Sequence, residues 1–130
     1  MSSIKIKKEH LEILKRMLLK PIYYYDGMLL SKEGVNGFDY FDKAEAEHMV
    51  NHEHLNDYMD CEQLTKDDYR LIAKQLFYRL KGEFPSVSLI VYLVYDEDGM
   101  PILDFGARRK GEMLYYDAPA ENREFFMTEY

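Results

Sequence analysis

Three of the four histidines in this chain, His48, His52 and His54, fall within seven residues of one another. His48 and His52 are four positions apart, so a helix would place both imidazoles on one face, a spacing that metal sites use. Glu53 and Asp57 could add carboxylate oxygens. The cluster makes a metal-dependent enzyme or sensor one hypothesis for this protein.

Two observations weigh against such a metal site. The zinc-protease pattern would need a histidine where Asn56 stands. Cys61 is the single cysteine, which leaves few soft ligands for a structural zinc ion. A polar helix that presents its histidines to solvent accounts for the same residues. We therefore predict no cofactor and keep His48, His52 and His54 only as candidate metal ligands.

Other arrangements that could support catalysis are incomplete. Cys61 lies between Asp60 and Glu62, and two flanking carboxylates disfavour a reactive thiolate. Asp104 and Glu112 fall on neighbouring predicted strands, but no lysine stands two residues after Glu112, as a nuclease of the restriction type would need. The chain also contains no phosphate-binding glycine loop, dinucleotide fingerprint or Gly-x-Ser-x-Gly motif. The sequence therefore predicts a protein that is not an enzyme.

The charge of the chain favours a basic partner. The net charge is −7 over 130 residues, which argues against direct binding of duplex nucleic acid. The charge is uneven, because residues 26–68 hold twelve acidic and three basic side chains. An acidic surface of this kind would attract and orient a protein partner with a basic surface.

Length and cysteine content suggest one intracellular domain. A chain of 130 residues is long enough for one hydrophobic core, so we predict a single domain over 1–130. One cysteine cannot form an intrachain disulfide, which favours a reducing compartment. No secretory signal is evident, and the longest apolar run, 89–95, is too short to span a membrane. We predict a cytoplasmic protein without membrane contact.

Tyrosine is the most suggestive residue type for function. The chain has 12 Tyr and no Trp, with runs at 23–25 and 115–116. A short, acidic, Tyr-rich chain without catalytic motifs has the character of phage-encoded inhibitors of host defence, which act by occlusion of a protein partner. The alternatives are an immunity protein that neutralises a toxin, and a structural subunit of a homo-oligomer or virion. The sequence does not decide whether the protein forms a homodimer.

The spacing of apolar residues predicts an α+β, two-layer fold. Helices are expected at 7–20, at 43–59 with a break near Asn51, and at 66–81. A small N-terminal hairpin turns at Asp26-Gly27, and a short strand is expected at 38–41. An antiparallel three-stranded meander over about 87–116, with strands 87–95, 102–107 and 112–116, packs against the helices. A last helix is expected at 119–128.

The predicted helix 43–59 is the expected partner-binding surface. Its apolar stripe is thin, so most of the helix should be exposed, and its charge is strongly acidic. We predict that an acidic face binds the partner while nearby tyrosines act as anchors. The predicted contact residues are Tyr40, Glu45, Glu47, Glu53, Asp57 and Tyr58.

Overall fold

The computed structural model describes residues 21–31, 42–55, 64–116 and 122–128. These ranges contain strands β1 (Tyr23–Tyr25) and β2 (Met28–Leu30), helix α1 (Lys43–Asn51), strand β3 (Glu53–His54), helix α2 (Lys66–Glu83), and strands β4 (Leu89–Tyr95), β5 (Pro101–Ala107) and β6 (Arg123–Met127). Two helices and antiparallel sheets in these ranges confirm the predicted α+β class. The predicted helix 7–20 and strand 38–41 lie outside the described residues.

Strand β4 lies at the centre of a four-stranded antiparallel sheet whose order is β3-β5-β4-β6. All seven β4 residues are buried. This burial agrees with the apolar character of both faces of the predicted strand 87–95. The predicted strand 102–107 corresponds to β5, which begins one residue earlier at Pro101.

The predicted third strand and last helix are wrong where the structure describes them. Residues 112–116 form no strand, and 123–127 form β6 instead of a helix. Phe125 packs with Tyr92 on one face of the sheet, whereas Phe126 packs against the core on the other face. This two-residue alternation is the period of a strand, and our helical interpretation overlooked it.

Helix α2 forms the second layer. Thr65 and Asp68 make a reciprocal capping box at its start. The buried face consists of Tyr69, Ile72, Ala73, Leu76 and Leu80, which belong to one core with Leu89, Val91, Leu93 and Tyr95 of β4. Neither helix of the described ranges combines the length and apolar character needed to cross a membrane.

Among the described residues, the opposite face of β4 is covered by side chains of β6 and of the irregular segment 112–116. Ile90, Tyr92 and Val94 pack against Leu114, Tyr116 and Phe125. Tyr92 meets the ring of Phe125 edge-on, with ring centres 5.0 Å apart. The irregular segment 112–116 thus follows the sheet and places Tyr115 and Tyr116 beside it.

The N-terminal hairpin forms as predicted. Strands β1 and β2 pair around Asp26 and Gly27, whose φ angles of 50° and 77° suit a tight turn. All three β2 residues are buried, and Met28 and Leu30 pack against Ala46 of α1. Helix α1 ends at the expected break, but the chain then enters β3, so the predicted helix beyond it is wrong at 53–54.

Candidate functional site

Helix α1 has two faces of different character. Its N-cap is Asp42, whose carboxylate accepts a hydrogen bond from the Glu45 N–H at 2.6 Å. Glu45 and Met49 are exposed. Ala46, Glu47 and Asn51 are buried. The inner face therefore carries polar groups into the protein, whereas we had expected this helix to be exposed over most of its length.

Glu47 is the clearest correction to the sequence-based expectation. Its side chain is only 3% exposed, so its carboxylate is not available as part of an acidic outer face. Oε2 accepts hydrogen bonds from the N–H groups of Leu29 at 2.9 Å and Ala107 at 2.6 Å. Oε1 accepts one from Arg109 Nη2 at 2.8 Å. Burial raises the pKa of Glu47 although Arg109 and the backbone donors oppose this effect.

Asn51, one turn after Glu47, completes a bridge between the hairpin and the four-stranded sheet. Its Nδ2 donates to the carbonyl oxygens of Leu29 at 2.7 Å and Phe105 at 2.9 Å. Its Oδ1 accepts from the Ser31 N–H at 2.8 Å. Glu47 and Asn51 together satisfy backbone groups of β2 and β5 that would otherwise be buried without partners. Helix α1 thereby joins the hairpin to the main sheet.

Gly106 permits this close approach. A Cβ atom at this position would lie 2.7 Å from Glu47 Oε1 and 2.9 Å from Glu47 Cδ. Any larger residue would therefore displace the carboxylate that holds α1 against β5. The sequence alone gave no sign that this glycine faces a glutamate.

His48 makes a second buried contact with β5. Its Nδ1 lies 2.7 Å from Oδ2 of Asp104, a residue that is 1% exposed. The Phe105 N–H also donates to Asp104, so the carboxylate accepts from both groups. Burial raises the pKa of Asp104, and the hydrogen bond from His48 opposes that effect.

The His48 imidazole lies between two other rings. Tyr115 stacks on it with ring centres 3.8 Å apart and planes at 9°. His52 stacks on it at 4.6 Å and 15°. His54 meets His52 edge-on at 5.5 Å. The three histidines that the sequence singles out do come together, as an aromatic stack.

The stack does not form a three-ligand metal centre. Among the described residues, no group of three or more His, Cys, Asp or Glu side chains is placed to hold a metal ion. His54 belongs to β3 and presents its ring to His52 at 79°. Cys61 and Asp57, which the sequence placed near the cluster, lie outside the described residues.

The carboxylates considered for nuclease chemistry have different partners. The buried Asp104 carboxylate is hydrogen-bonded to His48. Glu112 accepts from Arg109 Nε at 3.1 Å and lies in an irregular segment. The two carboxylates are therefore held by separate basic groups, and their predicted placement on neighbouring strands is wrong because 112–116 is not a strand.

The other predicted contact residues have mixed outcomes. Glu45 is exposed on α1, and Glu53 is half-buried in β3 opposite Leu103. Tyr40, Asp57 and Tyr58 lie outside the described residues. Their role in partner binding stays a prediction, as does that of Glu45 and Glu53.

A mixed acidic and apolar surface surrounds Tyr115. We define the outer α1 surface as Asp42, Glu45, Met49, Met113 and Tyr115. Tyr115 is 41% exposed and Met113 is 81% exposed. Burial and then the negative charges of Asp104, Glu45 and Asp42 raise the pKa of the Tyr115 hydroxyl. The sequence marked the Tyr pair at 115–116 but gave no signal that it neighbours α1.

A cavity of about 10 Å³ lies beneath this surface, lined by His48, Tyr92, Asp104 and Arg109 among others. That volume is enough for roughly one water molecule. The cavity is therefore too small for a small-molecule substrate. Comparison with known proteins finds no matching family model, no similar curated protein and no similar solved structure.

Proposed function

We propose that this protein is a small acidic binding protein that acts by occluding a basic surface on a protein partner. The contact is made by the outer α1 surface. The proposed role is that of phage-encoded inhibitors of host defence, with a toxin-neutralising immunity protein as the alternative. Both roles require a cytoplasmic protein that recognises another protein and carries out no reaction.

The observation that carries the proposal is the position of Tyr115. Its ring is half-exposed and is held by parallel stacking on His48 at 3.8 Å. Because His48 is itself bound to buried Asp104, the exposed tyrosine rests on a fixed support. Ordered tyrosines of this kind give large contact area at low entropy cost and are common anchors in interfaces.

The charges around Tyr115 support a basic partner. Asp42 and Glu45 lie close enough to affect its hydroxyl. The only basic residue in the first turn of α1, Lys43, is engaged with Asp26 of the hairpin at 3.5 Å. The charges that act on the Tyr115 hydroxyl itself are those of carboxylates, which give a negative local field. Such a field accelerates the association of oppositely charged partners and makes it sensitive to salt.

Two exposed methionines add apolar contact area. Met49 is 50% exposed and Met113 is 81% exposed. Met113 shares the lining of the small cavity with His48 and Tyr115, which places it on the same side of the molecule. Methionine and aromatic residues are enriched at interface cores, while charged residues form the rim.

The test compares matched charge reversals. Glu45→Lys alters the outer α1 surface, and Glu97→Lys alters an exposed acidic turn elsewhere. A partner captured from the cells that express the protein should bind the Glu97→Lys variant at the wild-type rate. It should bind Glu45→Lys more slowly, and Tyr115→Ala should dissociate faster. Unchanged rates for both Glu45→Lys and Tyr115→Ala at low salt would contradict the proposal.

A further inference from the structure

The outer side of helix α2 is basic, in a chain that is acidic as a whole. Residues 69–82 contain four basic side chains and no acidic one, whereas the net charge of the chain is −7. Lys74, Tyr78 and Lys81 follow one another at spacings of four and three residues, so they share one side of the helix. All three are exposed, and Tyr78 keeps 61% of its surface accessible. We call these three residues the outer α2 surface.

The other two basic residues of this segment are engaged with carboxylates. Arg70 donates to Glu124 of β6 at 2.7 Å. Arg79 donates to Glu83 at 3.0 Å, and its side chain is only 12% exposed. The positive charge that this side of the helix presents to solvent therefore comes mainly from the two lysines of the outer α2 surface.

The outer α2 surface and the outer α1 surface lie on opposite faces of the main sheet. Helix α2 packs on the face of β4 that carries Val91 and Leu93. Helix α1 bonds through His48 to Asp104, which is the direct cross-strand partner of Tyr92 on the other face. Within one chain the sheet therefore keeps the two surfaces apart. Two copies of the chain can bring them together.

The two surfaces match in charge and in side-chain type. The outer α1 surface carries the carboxylates of Asp42 and Glu45, whose charges act on the half-exposed Tyr115. The outer α2 surface carries two ammonium groups on either side of Tyr78, whose ring centre lies 5.9 Å from that of Phe77. In such a contact opposite charges set the register and aromatic rings supply the contact area. The chain thus contains a basic surface of the kind that its own acidic surface fits.

The net charge of −7 opposes association of two copies only at low salt. Charges farther apart than the Debye length, about 10 Å at 0.1 M salt, are largely screened, so the repulsion between the two molecules as a whole is weak there. Charges that face each other across a contact lie closer than this length and still attract. Self-association should therefore occur at about 0.1 M salt and weaken towards about 1 M.

We propose that the outer α2 surface of one copy of this protein docks on the outer α1 surface of a second copy. The contact is heterologous, because the two copies use different surfaces, so a pair still presents one free surface of each kind and further copies can add. A foreign basic partner competes with the second copy for the outer α1 surface. The contact itself needs no foreign partner, so self-association and partner capture can fail independently of each other.

The test is sedimentation velocity of the pure protein over a range of concentrations at about 0.1 M salt. The wild type should form species that grow with concentration. Glu45→Lys damages one surface, and Tyr78→Ala combined with Lys74→Ala damages the other. Each variant alone should have an association constant at least about tenfold lower than the wild type. Glu97→Lys makes the same change in net charge as Glu45→Lys in an exposed turn, and it should assemble like the wild type.

A mixture of the two damaged proteins gives the sharpest result. The Glu45→Lys chain keeps the outer α2 surface, and the chain with Tyr78→Ala and Lys74→Ala keeps the outer α1 surface. An equimolar mixture should therefore form a 1:1 heterodimer and nothing larger, because the two surfaces left over both carry lysine. This association also shows that both variants are folded.

Three results would overturn the proposal. The first is a wild-type protein that stays monomeric at about 1 mM. The second is a wild-type assembly that stops at two copies, because surfaces on opposite faces of a sheet cannot both meet one partner. The third is a mixture that associates no better than its separate components.

Discussion

Helices α1 and α2 both bury one face, but they do so with opposite chemistry. Helix α2 buries a stripe in which Ile72, Leu76 and Leu80 contact the sheet. Helix α1 buries Glu47 and Asn51, whose side chains bond to backbone groups of β2 and β5. Apolar packing depends on volume and tolerates small shifts, whereas buried hydrogen bonds require their partners at fixed positions.

The difference shows how the hairpin is attached. Strands β2 and β5 contribute to separate sheets with no direct ladder between them. The Glu47 carboxylate accepts from one N–H of each strand, and the Asn51 amide donates to one carbonyl of each. A polar helix face can therefore join two sheets where an apolar face could only cover them.

The largest expected effect comes from removing the Glu47 carboxylate. Glu47→Ala leaves the N–H groups of Leu29 and Ala107, together with the Arg109 guanidinium, without their acceptor. Loss of one partner from a buried charged pair costs about 3–5 kcal/mol, so the free energy of unfolding should fall by that amount. Denaturant titration measures it.

Glu45→Ala is the control for that experiment, because Glu45 lies on the same helix but is exposed. We expect its effect on the free energy of unfolding to be about 0.5 kcal/mol or less. If the two alanine variants are equally stable, the buried role of Glu47 is wrong.

The comparison needs an equivalent measurement on α2. Leu76→Ala removes a side chain that is 1% exposed in the main core. Truncation of a buried leucine costs about 2–5 kcal/mol, part of which depends on how far the cavity collapses. Tyr78→Ala on the exposed side of α2 should change stability little. A small effect of Leu76→Ala would mean that the main core is not as well packed as the structure shows.

A smaller effect is expected from Gly106→Ala. The added Cβ would press against the Glu47 carboxylate, and overpacking of this kind costs about 1–3 kcal/mol. In a Glu47→Ala background the same methyl group has space, so the two substitutions should be strongly non-additive. A double-mutant cycle by denaturant titration checks this. Additive effects would show that residue 106 and Glu47 do not interact.

The smallest expected effect is a change in pH dependence. Burial raises the pKa of Glu47 above its ordinary value of 4.5. Between that value and the folded-state pKa, the folded chain binds more protons than the unfolded chain, so this group's contribution to stability falls as pH rises. The difference in stability between wild type and Glu47→Gln should therefore decrease above about pH 4.5. If this difference increased with pH instead, the Arg109 guanidinium would lower the pKa of Glu47 by more than burial raises it.

The apolar parts of the fold could be predicted from the sequence. The spacing of apolar residues in α2 and the apolar run of β4 are enough to predict that these elements are buried. The pair Asp26-Gly27 is enough to predict the hairpin turn. Residues 123–127 were mistaken for a helix because adjacent Phe125 and Phe126 contact opposite faces of a sheet. Which face each ring takes depends on β4, a strand far away in sequence.

The candidate site was only partly predictable, for a related reason. Spacing brought His48 and His52 together correctly, since both lie on or next to one helical turn. Glu47 was placed on the outside because charged residues usually face water. Its true partners are separated from it by 18 and 60 residues, and hydrophobic periodicity contains no information about such pairs.

The bonds between α1 and β5 also bear on how the outer α1 surface could bind. Three α1 side chains, those of Glu47, His48 and Asn51, are bonded to β5 residues Ala107, Asp104 and Phe105. The helix can then neither rotate nor slide without breaking them. A partner that docks on Glu45 would have to order only side-chain rotamers there, while the helix backbone beneath that residue is already fixed. Such preorganisation lowers the entropic penalty of association, and more of the contact energy remains as affinity.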